Sequence, residues 1–258
     1  MNFRKSRILK KIRNNGIAFS TKLNTCSVVL AEIAAMSGFD CIWICREHVP
    51  ADWKDIEGVI KSAKLYDTDT IVRVSKGSYS DMIKPLEADA AAIMVPHVMS
   101  KSEAEKIVYY TKFHPLGRRP IDGGNADGKY TMLETGEYIL NANNERITCI
   151  QIEDVEGITE LDQICEIKGI DMIFFGPADF SQSIGKPGDL NCAEIITIRK
   201  KIAQSARKAG KIAGTVGSID NFSELADLGY NFINIGSDVR YYGKSLATVM
   251  EKIFKYNI

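Results

Sequence analysis

The sequence predicts a closed (β/α)8 barrel, the TIM-barrel class of α/β fold, on three observations. Short β-rich runs alternate with longer amphipathic stretches along the whole chain. Eight such runs can be counted. The length of 258 residues is what one barrel of about 250 residues requires, so residues 1–258 read as a single barrel domain.

The opening segment, MNFRKSRILKKIRNNG, is basic and reads as a short solvated helix. Candidate strands follow at Gly16–Thr21, Cys41–Cys45, Thr70–Val74, Ala92–Val95, Ile147–Ile152, Met172–Gly176, Ile212–Val216 and Phe232–Gly236. Helical periodicity marks Ser27–Met36, Trp53–Leu65, Tyr79–Ala88, Lys101–Tyr110, Leu133–Ala142, Glu160–Ile167, Ala193–Ala209 and Asn221–Leu228, and Ser245–Phe254 closes the chain. Several strands are almost wholly apolar, as expected where both faces are covered. Phe174 and Phe175, adjacent in strand six, should point to opposite faces. Gly210 and Gly229 fit helix C-caps that return the chain to the sheet. About fifty residues separate strands four and five, more than a crossover needs. They include Phe113-His114-Pro115-Leu116-Gly117-Arg118-Arg119-Pro120, which reads either as an insertion or as a loop on the catalytic rim whose arginines suit an anionic substrate.

Lysine plus arginine balance aspartate plus glutamate, for a formal charge of zero. That speaks against nucleic acid or an anionic membrane as partner. No signal-length apolar stretch follows the basic start and no run reaches a membrane span. The six cysteines lack paired or zinc-type spacing, as in a protein kept reduced in the cytoplasm.

Chemistry concentrates where the strands end. Gln151 and Glu153, two apart and so on one face, close strand five; Asp179 follows strand six after Gly176-Pro177. Acids at the carboxyl ends of parallel strands are where a barrel places its chemistry. Two hard oxygen donors suit a divalent cation that keeps waters and takes substrate oxygens as further ligands. Each acid could instead cap a helix. Strand three ends in Arg73, placed either to hold a carboxylate or enolate oxygen or to pair with a neighbouring acid. Of the three histidines, His48 ends strand two and could act as a base or simply hydrogen-bond in its loop; His97 reads as a structural loop residue. Lys76 offers a rival chemistry, a Schiff base, although nothing nearby marks it as desolvated.

These motifs resemble the HpcH/HpaI aldolase family of metal-dependent class II pyruvate aldolases. The resemblance runs from about Gly16 to Asp238 and rests on Gly38-Phe39-Asp40 leading into Glu47-His48, on Val72-Arg73-Val74 and Val95-Pro96, and on Gln151-Ile152-Glu153 followed by Gly176-Pro177-Ala178-Asp179-Phe180-Ser181. It implies a lyase that reversibly cleaves a 4-hydroxy-2-oxo acid to pyruvate and an aldehyde. Glu153 and Asp179 would hold Mg2+, Mn2+ or Co2+. Arg73 and Gln151 would line the pyruvate pocket, the backbone at Gly176, Pro177, Ala178 and Asp179 would receive its carboxylate, and His48 would handle the proton. The family pairs that histidine with an aspartate on the helix after strand three, and Glu87 occupies the aligned position. Cys45 and Arg46 stand where the family carries Asp and a variable residue. Pro120 stands where the arginine-bearing loop usually continues with glycine. The family often exchanges its last helix and forms hexamers, so a homo-oligomer is expected. Two other readings use the same residues: a citryl- or malyl-thioester lyase, with Arg118 and Arg119 on the phosphates, and a metabolite-binding descendant that has lost its proton relay.

Overall fold

The computed structural model describes residues 2–256. Eight strands, β1 (Ala18–Leu23), β2 (Cys41–Cys45), β3 (Asp69–Arg73), β4 (Ala92–Val95), β5 (Ile147–Ile152), β6 (Met172–Phe175), β7 (Ile212–Gly217) and β8 (Phe232–Ser237), close in sequence order into a parallel barrel. The predicted alternation holds. Trp43, Ile71, Met94, Cys149, Met172, Phe174 and Phe232 fill the interior. Ile44, Val72, Ile150, Ile173 and Phe175 face the surrounding helices, so the two phenylalanines of β6 do part to opposite sides.

The chain starts with α1 (Arg7–Arg13), whose N-cap Ser6 accepts from the Leu9 N–H. This helix is not merely solvated. Ile8 is buried and packs up into the barrel interior, closing its N-terminal end. The basic residues around it are spent on acids at that end: Arg4 on Asp69 at 2.7 Å, Arg7 on Asp40 at 3.1 Å, Lys11 on Asp40 at 2.6 Å and Arg13 on Glu145 at 2.8 Å.

The ring of helices comprises α2 (Val28–Met36), α3 (Trp53–Lys64), α4 (Tyr79–Glu87), α5 (Lys101–Thr111), α6 (Thr135–Glu145), α7 (Val155–Thr159), α8 (Leu161–Cys165), α9 (Pro177–Ser183), α10 (Ala193–Lys208), α11 (Phe222–Asp227) and α12 (Asp238–Phe254). Gly210 and Gly229 follow α10 and α11 with φ of 71° and 103°, the left-handed step that lets the chain turn back into the sheet. The helix expected at Glu160–Ile167 is the short α8, and α7 before it and α9 were not expected. The last helix begins at Asp238, before the expected Ser245. Asp238 latches it to the end of β1 by accepting from the Asn24 and Thr25 N–H groups at 2.8 and 3.0 Å. Beyond that latch every described residue of α12 is exposed.

The long connection between β4 and β5 lies at the N-terminal end of the barrel, opposite the end expected. Arg119 is buried and donates to Asp127 at 3.0 Å and to the Tyr138 hydroxyl at 3.1 Å. Asp127 also accepts from Arg146 at 2.7 Å, and Arg146 immediately precedes β5. Arg119 is therefore a structural ion rather than a substrate contact of this chain's own mouth, and the connection is no catalytic rim loop.

Candidate active site

The carboxyl ends of β1 to β6 pool their inward side chains at one mouth. β2 delivers Cys45, which faces Arg73 across the β2–β3 register. The Arg73 Nη2 donates to the Cys45 sulfur at 3.0 Å, and the guanidinium lies 5.1 Å from the Trp43 ring centre. Its Nε reaches Glu47 at 2.9 Å. Arg46 turns away, stacking on Trp53 at 4.2 Å and reaching Asp81 at 3.2 Å, so its bulk does not enter the mouth.

Glu153 is fully buried one residue past β5. Gln151 donates its side-chain amide to Glu153, as their shared face requires. The Gln151 side-chain amide oxygen is buried without a hydrogen-bond partner. Burial, reinforced by the nearby Asp179 charge, pushes the Glu153 carboxyl up to about 7, against the pull of the His97 N–H and the positive charges of His97 and Arg73. Asp179 sits in the first turn of α9, with Gly176 at the N-cap and Pro177 following. Gly176 is needed for room rather than for an unusual backbone angle: a Cβ there would collide with the Glu153 carboxylate and lie 2.8 Å from the Gln151 amide nitrogen.

His97, expected to be a bystander, is part of this cluster. Its φ of 50° is left-handed, a conformation uncommon for a residue with a side chain. That turn aims its N–H at Glu153 Oε1, 3.0 Å away, and its ring Nδ1 at Asp154, 2.9 Å away. Burial disfavours the charged ring, yet the Asp154 hydrogen bond and the charges of Glu153 and Glu47 outweigh it and lift the His97 pKa. Glu47 stands between the two histidines, 3.6 Å from His97 Nε2 and 3.7 Å from His48 Nε2. His48 itself is solvent-exposed.

Glu87 is not at this mouth. It ends α4, which runs antiparallel to the strands, and its backbone carbonyl accepts from the Asp127 N–H at the N-terminal end of the barrel. The charges nearest its carboxyl are Arg119, Asp122, Asp127 and Lys84; burial pushes it upward. Within one chain it cannot partner His48, which corrects the expected dyad. Lys76 pairs with Glu103 at 2.8 Å and donates to the His97 carbonyl, so its amine is engaged on the rim rather than free for a Schiff base. Lys22, at the end of β1, was missed: burial lowers its pKa, and Cys45, Arg73 and Glu47 are among the charges acting on it.

Among the described residues no three His, Cys, Asp or Glu side chains gather into a metal cage. The pair Glu153 and Asp179 nonetheless fits a hard divalent ion. Both donors are carboxylate oxygens, burial with the Asp179 charge beside it pushes the Glu153 carboxyl upward, and Gln151 leaves a buried side-chain oxygen without a partner beside them.

A barrel whose mouth sets a carboxylate pair against a buried guanidinium fits the lyases that make and break carbon–carbon bonds. Sequence comparison agrees: the chain belongs to the HpcH/HpaI aldolase/citrate lyase family, whose model matches residues 23–244. The 2-keto-3-deoxy-L-rhamnonate aldolase of Klebsiella pneumoniae subsp. pneumoniae is 31% identical over 226 residues, covering 87% of this chain and 84% of its own. Its Escherichia coli K12 counterpart is 28% identical, covering 92% and 89%. Among solved structures, an HpcH/HpaI aldolase from Desulfitobacterium hafniense DCB-2 superposes with a TM-score of 0.90 at 22% identity, covering 95% of each chain, which speaks to the fold. The citrate synthase SbnG gives 0.84 at 26% identity, covering 96% of this chain and 98% of that one.

Proposed function

We propose that the chain is a divalent-metal-dependent aldolase that cleaves a 4-hydroxy-2-oxo acid reversibly into pyruvate and an aldehyde. One observation carries the reading most: Glu153, buried and pushed up to about 7 beside Asp179, is a carboxylate that a cation would relieve. Glu153 and Asp179 would hold the ion, with Mg2+, Mn2+ and Co2+ all suited to such a donor set. When bound, the ion would supply Lewis acidity toward a keto oxygen.

The chain's own residues would do the remainder. Arg73, fixed by Cys45, Glu47 and the Trp43 face, would stabilise the enolate oxygen that forms as the C3–C4 bond breaks. The free Gln151 oxygen and the backbone from Gly176 to Asp179 would position the oxo-acid end. The base that takes the 4-hydroxyl proton would be His48, at the open side of the mouth. Glu47, rather than Glu87, is the carboxylate within reach of it. Arg119, one of the two arginines expected to meet a coenzyme A phosphate, is buried on Asp127 at the other end of the barrel. That favours a free acid over a thioester.

The test is exchange of pyruvate methyl protons for deuterium, followed by NMR with Mn2+ or Mg2+ and again with chelator. Metal-dependent exchange is expected. Absence of exchange in protein shown to bind both pyruvate and metal would point instead to a non-catalytic binder.

The same proposal includes a homo-oligomer, six copies being the expected number, with α12 packed on a neighbour. Leu246, Val249, Met250, Ile253 and Phe254 form an exposed apolar stripe at helical spacing. At the base of α12 a groove of about 660 Å3 is lined by Leu30, Ile33, Phe39 and Tyr242. The reduced state of all six cysteines suits a cytoplasmic setting.

A further inference from the structure

His97 has no task in the chemistry above, yet each of its polar groups is engaged. It follows Pro96, which has no N–H to give, and precedes Val98, whose N–H donates to the Gln151 carbonyl at 3.3 Å. The β4–β5 ladder therefore resumes one residue beyond it. Between these two, its φ of 50° is a left-handed turn that few side chains adopt, although His, Asn and Asp take it more readily than others. Such a conformation persists only where its surroundings over-determine it. Here they do. The ring Nδ1 meets Asp154 at 2.9 Å. Asp154 is the N-cap of α7 but makes no capping hydrogen bond with its side chain, which leaves its carboxylate to the ring. The His97 carbonyl accepts from Lys76, which pairs with Glu103 at 2.8 Å, and Glu103 accepts in turn from the Met99 N–H at 3.1 Å. The turn is strapped on both sides.

What the turn delivers is a single N–H. It donates to Glu153 Oε1 at 3.0 Å, while the Gln151 amide donates to Oε2. Both oxygens of a fully buried carboxylate are thereby fixed. Without the left-handed step, the peptide that carries this N–H and the Val98 ladder contact cannot both be kept. We infer that His97 is a positioning residue: its turn, tied down through the ring to Asp154, sets the Glu153 carboxylate in the orientation that receives the cation. A donor already held in place needs no ordering when the ion arrives. His97 acts through Glu153 and touches neither ion nor substrate. This inference rests on the reading of Glu153 and Asp179 as the metal pair.

The experiment is titration calorimetry with Mn2+ on the wild type, His97→Val and His97→Asn, with melting midpoints in chelator taken alongside. A β-branched residue resists a positive φ, whereas asparagine tolerates it and carries an N–H close to where histidine has Nδ1. His97→Val should weaken Mn2+ binding by about ten-fold or more, as loss of a hydrogen bond to a charged group does. His97→Asn should stay within about three-fold of the wild type. Wild-type affinity in His97→Val overturns the inference, even if its midpoint falls, because the residue would then serve stability alone. Equal loss in both variants overturns it too, since asparagine keeps the turn. Glu153→Gln in the same titration separates this inference from the reading beneath it. Mn2+ binding that is absent from the wild type, or untouched by Glu153→Gln, fails the metal pair and this inference together. Binding that depends on Glu153 but not on His97 fails this inference alone.

Discussion

Arg73 and Glu47 meet at 2.9 Å between Nε and Oε2, yet the contact is an ion pair without hydrogen-bond geometry, and both atoms are buried without a hydrogen-bond partner. The guanidinium is thus fixed in place by charge, by the Cys45 sulfur and by the Trp43 face while one of its N–H groups stays unspent. A donor held this way needs no reorganisation when negative charge develops near it.

Arg73→Ala should therefore lower kcat by about 100-fold or more, as loss of a fixed oxyanion donor does. Arg73→Lys keeps the charge but not the fork that reaches sulfur and carboxylate together. It should recover less than a tenth of the lost rate. Steady-state kinetics of both variants decide this, and a near-wild-type Arg73→Ala would remove the residue from the chemistry.

Gly176→Ala should injure the acid pair without touching either acid. Its added methyl would meet the Glu153 carboxylate and the Gln151 amide, and overpacking of this kind costs about 1–3 kcal/mol. Titration calorimetry with Mn2+ should show weakened binding, and thermal unfolding a lowered midpoint. Wild-type metal affinity in this variant would contradict the crowding seen at that position.

The metal-free protein should lose stability as pH rises. Glu153 moves from an ordinary 4.5 up to about 7 in the fold, and His97 also rises above its ordinary value. Each binds more protons folded than unfolded across its window, so the stability each contributes is present at low pH. For Glu153 it fades between about pH 4.5 and 7, and for His97 above about 6.5. Melting midpoints in chelator should fall from pH 5 to pH 8, and Mn2+ should cancel much of the fall by taking the proton's place. A flat profile in chelator would mean that Glu153 is already ionised.

The barrel's other end carries its own prediction. Asp127 is fully buried between Arg119 and Arg146. Removing one partner of a buried pair costs about 3–5 kcal/mol because the remaining charges stay buried. Asp127→Asn should lower the melting midpoint by roughly 10 °C, measured by calorimetry. A shift under one or two degrees would show that the arginines re-pair elsewhere.

What the sequence disclosed follows from periodicity and from strand ends. Period-two alternation separated Phe174 from Phe175, and residues just past apolar runs, such as Glu153 and Asp179, had to emerge at one mouth. Glu87 and the Arg118–Arg119 segment were misplaced for one topological reason. A helix after a parallel strand returns the chain to the opposite end, so whatever follows the helix lies away from the mouth. That rule was available in the element order. His97 was not readable, because only its left-handed turn after Pro96 swings it onto Glu153 and Asp154. Lys22 was not readable either, since a lysine at a strand end looks like an ordinary surface residue until the bulge beside it and the Trp43 ring beneath it are seen.

Ile8 seals one end of the interior, and this turns the barrel into a blind cup. Reactant and both products must then pass the same opening. In the proposed orientation pyruvate sits deeper, against Glu153, and the aldehyde nearer the rim, so cleavage imposes a queue: aldehyde out first, pyruvate last. Product-inhibition kinetics should accordingly find pyruvate competing with the cleaved acid for the empty enzyme, and the aldehyde inhibiting noncompetitively.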